Sequence, residues 1–358
     1  MASRYKKYAI GLLQLAITAA VLTWLFSDSH KRAEMALALK QADPLWIVYG
    51  VLAYGVVEMI AGWRWVKLLK VQGIELGLVR TMTLLLIGLF FNFFIPGGTG
   101  GDVMKIFYLV KEAPGKATGA VLSVLVDRII GLIGLILMSA LIIFTQWNWL
   151  TANGETYYYV WAALIVLGVS VGVVGFSMIL TALGVVHRLP PRFPGREKLA
   201  EIALGYSLYA KAWPTALFAL MTSIAAHLGY FFIFYCAARA FAAPTIVAPN
   251  FSQLCAIMPV INTITALPIG VGGLGIREGL FQVFLNRLVG VDEGVAVLIS
   301  TTGFFMTAVW GALGGLLYLG YRPARHARMS EIDQEVAALE HDLAEDELAL
   351  EIIEDPVD

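Results

Sequence analysis

The sequence predicts an all-α polytopic membrane protein, built as an inverted-topology repeat with two opposed re-entrant helical hairpins. Three observations predict it. Hydrophobic residues make up 59% of the 358-residue chain and charged residues only 14%, with a mean hydropathy of +0.77; soluble domains carry about a quarter charged residues. Apolar runs recur at about 8–26, 45–66, 81–95, 117–145, 157–182, 213–238, 251–269, 274–290 and 294–320. The pattern P-x-G-x-G-G occurs twice, as Pro96-Gly97-Gly98-Thr99-Gly100-Gly101 and Pro268-Ile269-Gly270-Val271-Gly272-Gly273, each after an apolar segment and just before charge. A bilayer tolerates broken backbone only where it is packed in protein or lines a wet cavity. Two such breaks at corresponding places in two halves point to a transport site.

The elements follow in order. Arg4, Lys6 and Lys7 precede the run at 8–26. That run is longer than a signal-peptide core and no small-residue cleavage site follows promptly, so a retained first helix is expected. A span needs about 20 apolar residues, and five or six of the runs are long enough. Loop charge sets their direction, because basic residues stay on the cytoplasmic side. Arg4, Lys6 and Lys7 place the N-terminus inside and leave 27–44 outside. Lys67, Lys70 and Arg80 mark the next inside loop, and the basic segment 187–211 and Arg322, Arg325 and Arg328 are also inside. The 147–156 loop has no Lys or Arg and belongs outside.

These anchors decide the glycine turns. Arg80 lies inside, as do Lys111 and Lys116, so 81–112 enters and leaves from the cytoplasm with 96–101 at its tip. The 213–238 helix runs outward and the 294–320 helix inward, so 251–290 enters and leaves from outside with 268–273 at its tip. The two repeats are then about 45–145 and 213–320, within a membrane domain over 1–328.

The net charge of −1 conceals two opposite parts. Twelve acidic and no basic residues fall in 331–358, which leaves 14 acidic against 25 basic residues, about +11, in the rest. A basic body suits anionic lipid head groups, although the same residues also set topology. Residues 329–358 form an acidic tail in which Ile332, Val336, Leu339 and Leu343 recur at helical spacing. It is expected to be an amphipathic cytoplasmic helix, either solvated or docked on a partner protein. Cys236 and Cys255 lie in apolar stretches and read as reduced, structural thiols.

Several residues could carry chemistry. Glycines allow a sharp reversal and leave backbone N–H groups free. A helix that begins there presents about half a positive charge and several unsatisfied donors, an anion cradle. Gly100, Gly101, Gly272 and Gly273 are the candidates. Asp102 stands at an N-cap position, where it caps the arm or meets a cation or an amine. Arg277 and Glu278 form either a phosphate ligand with its partner or an internal ion pair. Asp127 and Arg128 lie near mid-depth of the 117–145 helix. The offset between the two motifs carries them onto 299–300, beside Ser300-Thr301-Thr302. Glu58 and His227 are similarly deep; the His reads as a packing residue, whereas a mid-helix carboxylate is costly unless paired or wet. Asn92, Asn262, Thr263 and Thr265 precede the tips and either satisfy freed backbone groups or touch substrate. Trp63, Trp65, Trp147, Trp149 and Tyr157, Tyr158 and Tyr159 read as an aromatic belt. No hydrolase, zinc-protease or P-loop motif is present. The glycine runs are not dinucleotide fingerprints, because no βαβ unit surrounds them. No cofactor, metal or nucleic-acid partner is expected.

Phe91-Asn92-Phe93-Phe94-Ile95-Pro96 through Gly100-Gly101-Asp102, then Val126-Asp127-Arg128-Ile129-Ile130-Gly131-Leu132, then Leu267-Pro268 through Gly272-Gly273-Leu274-Gly275-Ile276-Arg277-Glu278-Gly279 appear in that order. Together they resemble the membrane domain of the lysyl-phosphatidylglycerol synthases, also known as a flippase-like integral membrane family. The resemblance covers about 5–325. In the synthases this domain is associated with moving aminoacylated phosphatidylglycerol between leaflets, while a separate soluble domain makes the lipid. No counterpart of that soluble domain is read here. The resemblance therefore implies lipid translocation without enzyme activity, in a bacterial inner membrane with both termini cytoplasmic. The expected ligand is a phospholipid or lipid-linked substrate. Two other classes fit the same residues: a secondary transporter of a small polar solute, and an accessory scaffold for a lipid- or glycan-modifying enzyme.

Overall fold

A computed structural model describes residues 23, 27–94, 100–184, 196–267 and 273–322. The expected first helix apart from Thr23, the tip residues 95–99 and 268–272, and the acidic tail lie outside the described residues. Among the described residues the protein is helical, with no β-strand.

A short helix α1 (Ser29–Lys40) begins the described part, capped by the Asp28 carboxylate, which accepts from His30 N. It falls inside 27–44, where the apolar pattern gave no helix. The span α2 (Pro44–Val71) starts with proline at its first position and the Asp43 side chain accepting from Leu45 N, both favourable at a helix start. Two short helices follow, α3 (Leu78–Phe94) and α4 (Gly100–Glu112), then the span α5 (Ala117–Thr145). The one-turn α6 (Trp147–Leu150) leads into α7 (Gly154–Ala182). The basic segment expected as a loop contains α8 (Arg196–Lys211). Next come the span α9 (Trp213–Ala240), the short pair α10 (Phe251–Thr265) and α11 (Ile276–Val289), and the last span α12 (Glu293–Gly320). A reciprocal Asn250–Gln253 capping box sets the start of α10, satisfying donors that the first turn leaves free.

Five of these helices are long and apolar enough to cross a membrane: Pro44–Val71, Ala117–Thr145, Gly154–Phe176, Trp213–Ala240 and Glu293–Gly320. The members of the two short pairs have 17, 13, 15 and 14 residues. At a rise of about 1.5 Å per residue they reach roughly 20–26 Å, less than the roughly 30 Å of a hydrocarbon core.

Packing centres on the seam between α2 and α9. Around it, α3 lies on α12 as α10 lies on α5; α4 lies on α5 as α11 lies on α12; and α5 meets α9 as α12 meets α2. Each pairing thus has a counterpart under exchange of α2–α5 with α9–α12. Lipid tails are as apolar as leucine, so these seams are held by close packing and interhelical hydrogen bonds. Gly55 lies under the Trp310 ring, whose Nε1 donates to the Val51 carbonyl at 2.8 Å. A largely aromatic and aliphatic core of Phe231, Phe234, Phe281 and Phe284 fills the space between α9 and α11. Trp65, expected in the interfacial belt, is instead buried at 2% exposure. Its indole donates to Ser123 Oγ, so the face of α2 that carries it turns toward α5. Trp63, two residues earlier, stays exposed.

Candidate functional site

The start of α4 lies directly on α3. A Cβ at Gly101 would overlap the Gly88 carbonyl oxygen and the Asn92 side chain, so only glycine permits this approach. Asn92 Oδ1 accepts from Gly101 N at 2.9 Å. That backbone donor is therefore taken by the neighbouring arm, where the sequence left it free for an anion. Gly100 is buried beside it. In the second pair, Gly273 has φ of 75° and packs against Thr265, a left-handed backbone that side-chain-bearing residues disfavour. Gly272 lies outside the described residues.

Asp102 corrects an expectation. Because α4 begins at Gly100, Asp102 sits inside the first turn instead of at the N-cap, and its carboxylate points to other helices. Arg128 grips it with two donors, Nε to Oδ2 and Nη2 to Oδ1, each at 2.7 Å. Lys105 Nζ stands 3.3 Å from Oδ1, and the same ammonium lies 5.5 Å from the centre of the Trp65 ring.

Asp127 turns away from its chain neighbour Arg128. It receives Arg64 from α2, Nε to Oδ1 at 2.8 Å and Nη2 to Oδ2 at 3.2 Å, while Arg64 Nη1 donates to Ser223 Oγ on α9 at 2.7 Å. One guanidinium thus joins α2, α5 and α9. Glu58, two turns before it on α2, is 7% exposed. The Tyr54 phenol and the cations Lys105, Arg64 and Arg128 all lie within electrostatic reach of it. Three carboxylates (Glu58, Asp102 and Asp127) and three cations (Arg64, Lys105 and Arg128) therefore gather where α2, α4 and α5 meet. The Arg128 side chain remains 51% exposed, the open edge of the group.

The second cluster is closed. Arg277 and Glu278 are 4% and 1% exposed and pair with each other at 2.7 Å. Glu278 also accepts from Gly275 N at 2.6 Å and from Ser300 Oγ at 3.0 Å, and Arg277 Nε donates to Ser300 Oγ at 3.2 Å. The guanidinium lies over Phe304 at 4.7 Å. Of the two roles left open by the sequence, the geometry is that of the internal ion pair. Tyr230 lies within electrostatic reach of both Arg277 and Tyr54.

His227 is a satisfied interior residue, its Nε2 hydrogen-bonded to the Gly131 carbonyl at 3.2 Å. The sequence reading passed over Arg64, Tyr54, Tyr230 and Ser223, and gave Lys105 no role. An arginine between two tryptophans near the end of the 45–66 apolar run was the available signal for Arg64. Among the described residues no group of three or more His, Cys, Asp or Glu is placed to hold a metal ion.

Residues 11–315 match the family described as the lysylphosphatidylglycerol synthase TM region. The chain belongs to that family. It is also similar to a UPF0104 membrane protein of Pyrococcus horikoshii, 25% identical over 214 residues, which are 59% of this chain. The chain spans 57% of that protein's length. No solved structure matches it. The match covers the membrane region of the synthases, and every residue of both charged clusters falls within it.

Proposed function

We propose that the protein moves membrane lipids between leaflets, passing the head group through a polar site at mid-bilayer while the acyl chains stay in the hydrocarbon. The observation that carries this reading is the mixed-charge group of Glu58, Arg64, Asp102, Lys105, Asp127 and Arg128 on apolar helices. Intramembrane charge is expensive and marks ion or substrate paths. Equal numbers of both signs suit a phosphate-bearing head group, which takes Arg128 and Lys105 from Asp102 by exchange of partners. Asp102 and Glu58 are then free to meet a cationic substituent or a proton. The half-exposed side chain of Arg128 is where the exchange begins.

In this reading the short pairs α3/α4 and α10/α11 are re-entrant hairpins that dip in from opposite faces, and the two halves form an inverted repeat. Their lengths and the paired pattern of helix contacts support it. The protein sits in a bacterial inner membrane with both termini cytoplasmic, carries no enzyme chemistry, and offers its acidic tail to a partner protein.

The test is the leaflet distribution of fluorescent lipid in proteoliposomes. Wild type should exchange lipid well above empty vesicles. Glu58→Gln, Asp102→Asn and Arg128→Gln should each slow exchange at least about tenfold, the scale of one lost charge-assisted contact, while eluting from size exclusion as wild type does. Wild type indistinguishable from empty vesicles, or all three variants at full rate, would overturn the reading.

A further inference from the structure

Away from the charged group, α3 and α12 leave an apolar cleft of about 550 Å³ between them. Phe90, Phe91 and Phe93 form one wall, and small residues including Ala308 and Ala312 the other, with Leu316 and Tyr318 toward one end. Cavities of roughly 300–1,000 Å³ hold small ligands, and this one lies on helices long enough, or apolar enough, to sit in the bilayer.

Its two ends differ. One end is apolar, where Phe93 meets Phe304, and the Arg277 guanidinium on the far side of Phe304 is neutralised internally by Glu278. At the other, Tyr318 touches Phe91 and Tyr108, and Tyr108 touches Tyr321. Two cations rest on this aromatic cluster. The Arg80 guanidinium lies 4.6 Å from the Tyr321 ring centre, and Lys111 Nζ lies 4.2 Å from Phe107 and 5.9 Å from Tyr108. Arg80 is committed to the Glu112 carboxylate. Lys111 has no carboxylate partner among the described residues, and the exposed Arg322 lies at the same end, its carbonyl accepting from Arg80. The order along the cleft is thus an apolar end, then aromatic rings, then unneutralised positive charge. A membrane has the same order from acyl chain through interface to anionic head group.

We propose that the α3–α12 cleft is a binding site for an anionic glycerophospholipid, with an acyl chain between Phe90, Phe93 and Ala312 and its phosphate at Lys111 and Arg322. The acyl chain lies along an open groove beside the α3–α12 seam, which is itself closed where the Phe93 and Phe90 rings rest on Gly311 and Gly315 and Gly314 meets the Leu86 carbonyl. This does not depend on translocation. A resident lipid is retained whether or not head groups cross, and none of its contacts belongs to the mixed-charge group.

The experiment is native mass spectrometry of the full-length protein released from nanodiscs of equal phosphatidylserine and phosphatidylcholine. Wild type should retain phosphatidylserine in preference. Lys111→Gln should cut that preference about fivefold, the worth of one basic residue near an anionic surface. Ala308→Leu and Ala312→Phe, which fill the cleft, should lower retention of both lipids. Equal retention of the two lipids by wild type overturns the proposal, as does undiminished retention by a folded cleft-filling variant. A change in oligomeric mass on filling the cleft also overturns it, since a second copy is then the occupant. If both filling variants fail to fold, Lys111→Gln decides, because it lies outside the cleft.

Discussion

Asp127 and Arg128 are neighbours in sequence and strangers in space. Successive residues on a helix do not face each other, so Asp127 reaches Arg64 and Arg128 reaches Asp102. The sequence showed that both charges lie at mid-depth, but their partners are 63 and 26 residues away, and no spacing rule joins them. Arg277 and Glu278 do meet, because the carboxylate folds back onto Gly275 N at the helix start and the guanidinium can reach it there. Two expectations belong to this scale. Glu278→Ala leaves the Arg277 guanidinium buried without a counter-charge, and should cost about 3–5 kcal/mol, seen as a large drop in thermal unfolding temperature in detergent. Arg64→Ala should be damaging for a different reason, since it releases Asp127 and Ser223 together. Asp127→Asn placed on top of it should recover part of the loss, which a double-mutant cycle would read as strong coupling.

Helices were easier to read than their contacts. The long apolar runs gave α2, α5, α7, α9 and α12 to within a few residues, and the glycine turns separated α3 from α4 and α10 from α11. The sequence missed α1 and treated the region of α8 as a loop, because both are rich in charge and have no apolar run to mark them. Trp65 was misread because an aromatic near a helix end looks the same whether it faces lipid or protein. At this scale Gly101 is the sensitive position. Leucine there would collide with the Gly88 carbonyl, which is backbone and cannot move aside. We expect Gly101→Leu to lift the start of α4 from α3 and break the Asn92 bond. A cysteine at Asn92 in that background should react faster with a thiol reagent than the same cysteine beside Gly101.

For the molecule as a whole, the α2–α9 seam is the most extensive helix contact, with Arg64 reaching from α2 to α9 across it. A Cβ built on Gly229 would lie 3.9 Å from that of Val57, within the roughly 3.5–4.5 Å that a disulfide needs. In a background without Cys236 and Cys255, Val57→Cys with Gly229→Cys should therefore cross-link under mild oxidation. If translocation moves the short helix pairs about a fixed seam, lipid exchange should persist in the oxidised protein and be unchanged by reductant. Exchange that returns only on reduction would place the motion at the seam.

The last span also constrains how the chain can be made. Glu34 accepts from Gly294 N across 260 positions, and Trp310 donates to Val51 across 259. Synthesis runs from the N-terminus, so α1 is made and α2 and α3 enter the bilayer long before α12 exists to complete them. Until then the α12-facing surfaces of α2 and α3 must be covered by lipid, an insertase or a chaperone. A ribosome arrested before residue 293 should leave a chain that quality-control proteases remove, however well its earlier helices have inserted.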